Sequence, residues 1–211
     1  MVTEPMPPEA VEDARKHLTL AAEDLDGNRV AALIVESAGR WGVAPLWERV
    51  CAPMLAALPG RGAAEVAVEH AFSEGIRSGL DVLLRQPGPA SAAGGIVLAG
   101  AEQELHCLGL HALAAALREQ GLGCLHLGPA LPWSALASAV ARVRPRVVVV
   151  WSQTPLTGRA YRLVRLGRDA PGVRVLAAGP GWIEPFPPVA AAPRRLRTLT
   201  EATAVCRSTS E

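Results

Sequence analysis

Through the first 86 residues the apolar positions return every three or four places. In "PPEAVEDARKHLTLAAEDLD", Val11, Ala14, Leu18, Ala21 and Ala22 fall on one stripe, which predicts a helix opening at the paired prolines. "DGNRV" reads as a turn and cap, and "RVAALIVESAGRWG" as a second helix stopped by Gly42. "APLWERVCAPMLAAL" predicts a third helix that Pro53 kinks or splits, with Trp47 packing into its core face. "AAEVAVEHAFSEGIRSGLDVLLRQ" predicts a long amphipathic fourth. Four helices with short connections predict a bundle over 8–86. "PGPASAAGG", residues 87–95, is small and uncharged and reads as a linker.

From 96 to 208 the period changes. "GIVLAG", "CLHLG", "RVVVVWS" and "VRVLAAG" are short apolar runs without polar alternation. Between them stand helical patterns: "LGLHALAAALREQG", "PWSALASAVARVR" and "TGRAYRLVRLGRDAPG". "LRTLTEATAVCRS" closes the chain as a helix. Strands apolar on both faces, alternating with helices, predict a doubly wound parallel sheet. A fifth strand is placed near "AAAPRRL", residues 190–196.

Composition narrows the function classes. A net charge of +1 points to neither nucleic acid nor a membrane surface, and "RRLR" at Arg194–Arg197 is too short to change that. The acidic N-terminus carries no signal-peptide pattern, and no apolar run is long enough to span a bilayer. Cys51, Cys107, Cys124 and Cys206 have no C-x-x-C spacing, so they read as reduced, mostly buried thiols of a cytoplasmic protein.

Ligands of open parallel sheets bind beyond the carboxyl ends of the strands. His106 follows the first strand, Ser152 ends the third and Gly179 ends the fourth, so three distant segments converge on one edge. Glu104, two places before His106, can accept a hydrogen bond from one ring nitrogen and leave the other free as a base or metal ligand. Gly109 permits close approach to the backbone. His111 and His126 fall on a helix and inside a strand and read as structural. No dinucleotide fingerprint, phosphate loop, zinc-protease helix or nucleophile elbow is present.

These residues resemble the cobalamin-binding domains of corrinoid proteins, which carry Asp or Glu-x-His-x-x-Gly, then Ser-x-Leu, then Gly-Gly at three successive loops. Glu104, His106 and Gly109 match the first element in full. After 42 residues, Ser152-Gln153-Thr154 keeps the serine but has threonine for leucine. After 24 more, Gly179-Pro180 keeps one glycine. The helical half is similar to the four-helix cap of MerR-type light-responsive regulators and of methionine synthase, through "WERVCAPML" and "VAVEHAFSEG". The two likenesses together span residues 15–205.

The resemblance implies a helical-bundle cap before a flavodoxin-like domain, with cobalamin, adenosylated or in another form, as cofactor. It implies His106 as the cobalt ligand, displacing the cofactor's own base, and Glu104 as its hydrogen-bonding partner. Gly109, Ser152 and Gly179 would line a slot for the nucleotide tail, with Thr154 among the cofactor-binding residues. Glu69 and His70 would face the upper side of the corrin. Pro59 and Gly60 stand where light-responsive members carry tryptophan and histidine, which leaves the upper-face set incomplete. The implied role is a non-enzymatic cobalamin sensor or transcriptional regulator. It would act through a protein partner or a second copy, with no DNA-binding module in this chain. The alternatives are a corrinoid methyl carrier and a module that no longer binds cofactor and serves in protein interaction.

Overall fold

The computed structural model describes residues 5–58, 62–88, 95–183, 185–188 and 192–210. Pro59, Gly60 and residues 89–94 of the linker lie outside them. The chain forms two compact units, Met1–Pro87 and Gly88–Glu211. Among the described residues, no helix is long and apolar enough to cross a membrane.

The first unit is helical: α1 (Pro8–Glu23), α2 (Gly27–Trp41), α3 (Val43–Leu46), a π-turn (Trp47–Cys51), α4 (Ala52–Ala57) and α5 (Ala63–Arg85). Asp26 caps α2 by accepting from the Arg29 N–H at 2.9 Å. Val30, Ile34 and Ala38 of α2 form a buried stripe, and so do Phe72, Gly75, Ile76, Gly79 and Leu80 of α5. Gly75 and Gly79 let the two backbones meet. A Cβ at Gly75 would stand 2.5 Å from Val30 Cβ, and one at Gly79 2.8 Å from Ile34 Cβ.

The third helical run is divided around Pro53 into α3, the π-turn and α4. The chain widens into the π-turn just before Pro53 and continues. Pro53 has no N–H for the carbonyl of Arg49, four residues back. Arg15 Nη2 donates to that carbonyl at 2.7 Å instead. Trp47 is only half-buried at the start of the wide turn, and Leu46 and Val50 take the interior positions.

The second unit is a parallel sheet of β1 (Ile96–Gly100), β2 (Leu125–His126), β3 (Val147–Trp151), β4 (Arg174–Ala178) and β5 (Arg194–Arg195), in the order β2-β1-β3-β4-β5. The helices are α6 (Leu108–Glu119), α7 (Trp133–Val143), α8 (Ala160–Asp169) and α9 (Leu199–Ser210). Every residue of β1 and β3 is buried. Val97, Val148, Val150 and Ala177 pack with Leu136 and Val140 of α7 and Leu163 and Leu166 of α8. The alternate positions, Leu98, Val149 and Leu176, project to the other face. The weak fifth strand is only two residues long, inside the predicted span, and β2 is equally short because Gly128, at φ +80°, and Pro129 turn the chain away.

The strand order reverses between β1 and β3. Their outgoing loops therefore part at the carboxyl edge, where such sheets open a crevice.

Candidate functional site

The loop after β1 begins with a tight turn. Glu104 N–H donates to the Ala101 carbonyl at 2.9 Å, and Gln103 adopts φ +67°, a conformation that favours glycine. This turn drives the Glu104 side chain inward to 1% exposure.

Five donors meet the Glu104 carboxylate. Oε1 accepts from the backbone N–H of His106 at 2.9 Å and from its Nδ1 at 2.9 Å. Oε2 accepts from the backbone N–H groups of Gln153 at 2.8 Å and Thr154 at 3.2 Å, and from Thr157 Oγ1 at 2.6 Å. One oxygen thus serves the β1–α6 loop and the other the β3–α8 loop. Burial pushes the carboxyl pKa up, but the hydrogen bonds, led by Thr157, outweigh it and hold the group below its ordinary value.

An ionised carboxylate only accepts, so Nδ1 of His106 carries the ring proton toward it, an assignment that follows from the network. Nε2 then presents its lone pair. It has no hydrogen bond to a described residue, and the side chain is 72% exposed. The result is a fixed, outward-facing imidazole backed by a buried negative charge.

The other predicted residues divide. Ser152 is fully buried, with Oγ 2.7 Å from Thr157 Oγ1 and 3.0 Å from the Thr154 carbonyl. Gly109 opens α6 against the indole of Trp151. Gly179 takes φ +93° beside the Ser152 carbonyl. Glu104, His106, Gly109, Ser152, Thr154 and Gly179 are therefore brought together. Glu69 and His70 belong to the helical unit, on α5, with carboxylate and imidazole 4.0 Å apart and Ser73 Oγ donating to Glu69 at 3.0 Å. His111 and His126 stack edge to face at 4.6 Å.

Sequence reasoning missed Thr157, Trp151 and Gly181. Trp151 Nε1 donates to the His106 carbonyl at 2.8 Å. Gly181 leaves no room for a Cβ beside Ser152 Oγ and the Thr154 carbonyl. In "GPGW" Pro180 stands where a second glycine was expected, and Gly181 follows it.

Among the described residues, no group of three or more His, Cys, Asp or Glu side chains could hold a metal ion. One imidazole alone does not retain a free cation. A metal bound here would have to bring most of its own ligands, and the exposed Nε2 would suit such an ion as a single donor.

No family model matches the chain, and no curated protein matches it. Solved structures do. The monomethylamine corrinoid protein of Methanosarcina barkeri is similar with a TM-score of 0.68 at 15% identity, covering 93% of this chain and 98% of that one. A cobalamin-binding protein from Desulfitobacterium hafniense matches at 0.46 and 15% identity, over 94% and 99% of the two chains. The methanol:cobalamin methyltransferase complex of Methanosarcina barkeri matches at 0.49 and 15%, over 98% and 86%. At these identities the first likeness establishes the fold: a helical unit followed by a Rossmann-like parallel sheet.

Proposed function

We propose that this chain binds a corrinoid of the cobalamin class, with His106 Nε2 as the lower ligand to cobalt, and presents the bound cofactor to a protein partner without catalysing a reaction itself. The observation that carries this is the Glu104–His106 unit: a buried carboxylate fixes one ring nitrogen and leaves the other as an isolated outward donor. A corrin supplies the four equatorial ligands that the protein lacks. Its cobalt provides the redox or alkyl-transfer chemistry when bound.

A second feature supports a flat, apolar-edged ligand. Leu105, Leu156 and Ile183, on the loops after β1, β3 and β4, are 72%, 77% and 65% exposed. Large aliphatic side chains left in water on three loops of one edge suit a macrocycle lying over His106.

Two roles follow for the bound cofactor. Sensing is supported by the Glu69–His70 pair, which the resemblance to light-responsive regulators assigns to cofactor binding. Methyl carriage is supported by the fold match that covers 98% of the monomethylamine corrinoid protein. Transfer of a methyl group from the loaded protein to an acceptor, in the presence of a methyltransferase, would favour the carrier. A change of assembly on illumination or cofactor loading would favour the sensor.

The reading is tested by mixing the protein in the dark with hydroxocobalamin, adenosylcobalamin or cobinamide, removing free corrinoid and recording absorbance. Retained colour with an imidazole-ligated spectrum is expected, and His106→Ala should lose that signature. Release of all three corrinoids by the folded protein would refute it and favour a protein-interaction module.

A further inference from the structure

Trp151 ends β3 and is 8% exposed. Its indole touches two of the glycines brought to this edge. The benzo ring fills the space beside Gly109 that any side chain there would need, and Cε2 lies 3.1 Å from the position of a Cβ on Gly179. The ring nitrogen is tied to the His106 carbonyl at 2.8 Å. The room left by the two missing side chains, beside the His106 loop, is thus taken up by the protein's own planar, bicyclic indole.

This bears on which corrinoid fits. In cobalamin a benzimidazole, also planar and bicyclic, is tethered to the lower face of the corrin. If His106 takes the lower cobalt position, that base must go elsewhere. The space that Gly109 and Gly179 leave beside the His106 loop already holds a ring of nearly the same shape. Entry of the base there would require Trp151 to leave its packing and break its bond to the His106 carbonyl. A corrinoid without the nucleotide needs no such rearrangement.

We infer that Trp151 is a specificity-determining residue, which makes this chain prefer corrinoids that lack the nucleotide base, cobinamide being the simplest. The inference rests on the reading of His106 as the cobalt ligand.

The full chain is titrated in the dark with adenosylcobinamide and adenosylcobalamin, whose alkyl group blocks the upper face so that imidazole must compete at the lower one, followed by absorbance and by retention on gel filtration. Free imidazole also favours cobinamide, which has no base to displace, so its preference is the baseline. The protein's preference is expected to exceed that baseline by about tenfold or more, the scale of one disrupted buried contact set. In Trp151→Leu, adenosylcobalamin should gain and the ratio should fall back toward the baseline. Trp151→Phe, a milder change should leucine impair folding, should give an intermediate ratio. A ratio no greater than that of free imidazole in the unaltered chain overturns the inference, whatever the variants do. The two ideas fail differently: a chain that binds neither corrinoid removes the His106 reading, and the preference with it. Imidazole ligation that depends on His106, with a ratio unmoved by Trp151→Leu, removes only the role of Trp151.

Discussion

Glu104 carries more of this structure than its size suggests, because a buried carboxylate is tolerated only when its lone pairs are taken up. Its two oxygens accept five hydrogen bonds from two loops. Glu104→Gln turns one acceptor into an NH2 that faces donors. We expect a loss of roughly 2–4 kcal/mol in urea unfolding at neutral pH, as for a broken buried charged network. Thr157→Val, which removes one donor, should cost about 1–2 kcal/mol. The folded pKa of Glu104 is depressed, so its stabilisation is complete above the unfolded value of about 4.3 and is lost as pH falls through the folded value. The stability gap between the parent and Glu104→Gln should therefore be constant near neutrality and shrink in acid. A gap that widened in acid would contradict this. Glu104 and His106 are legible in the sequence because the interaction spans two residues. Thr157 reaches the same carboxylate from 53 residues away, and Trp151 reaches His106 from 45, distances over which a single sequence carries no pairing signal.

At the scale of elements, the contact between α2 and α5 turns on two glycines four residues apart. In an isolated helix, alanine in place of glycine would gain about 1 kcal/mol. Here the added Cβ of Gly79→Ala meets Ile34 Cβ at 2.8 Å and the Ala31 carbonyl at 2.9 Å. A net loss of about 1–3 kcal/mol is expected from thermal or urea unfolding, as for an overpacked core. A stabilised variant would show that the helices separate at little cost. The helices of this unit were legible because their apolar spacing is regular. The π-turn was not; its Arg49 carbonyl accepts from Arg15, 34 residues away on another helix. The central strands were legible from their unbroken apolar runs. The two outer strands were weak in sequence because each makes only a two-residue ladder.

For the whole molecule, the four cysteines sample both units. Cys51 lies in the helical unit, and Cys107, Cys124 and Cys206 in the other; none is in a disulfide. Burial pushes the thiols of Cys51, Cys107 and Cys206 up to about 12 and that of Cys124 to about 11. At pH 8 essentially none is thiolate, so a thiol reagent should give no rapid colour with the native protein and the full four equivalents in denaturant. A fast native thiol would mean that its unit opens readily. The change from helical to strand period was visible in the sequence. The convergence of His106, Ser152 and Gly179 on the carboxyl edge was visible too; the strand order, which reverses between β1 and β3, was not.

The outer strands have a further consequence. β2 and β5 offer two residues each, and β5 consists of Arg194 and Arg195, both exposed. The described sheet thus ends on both sides in stubs too short, and on one side too charged, to template another chain's backbone. The fully apolar strands, which alone would be prone to amyloid-like stacking, are held inside those guards. The fold can leave Leu105, Leu156 and Ile183 exposed on the loops of its carboxyl edge without also exposing a sticky margin along its sheet.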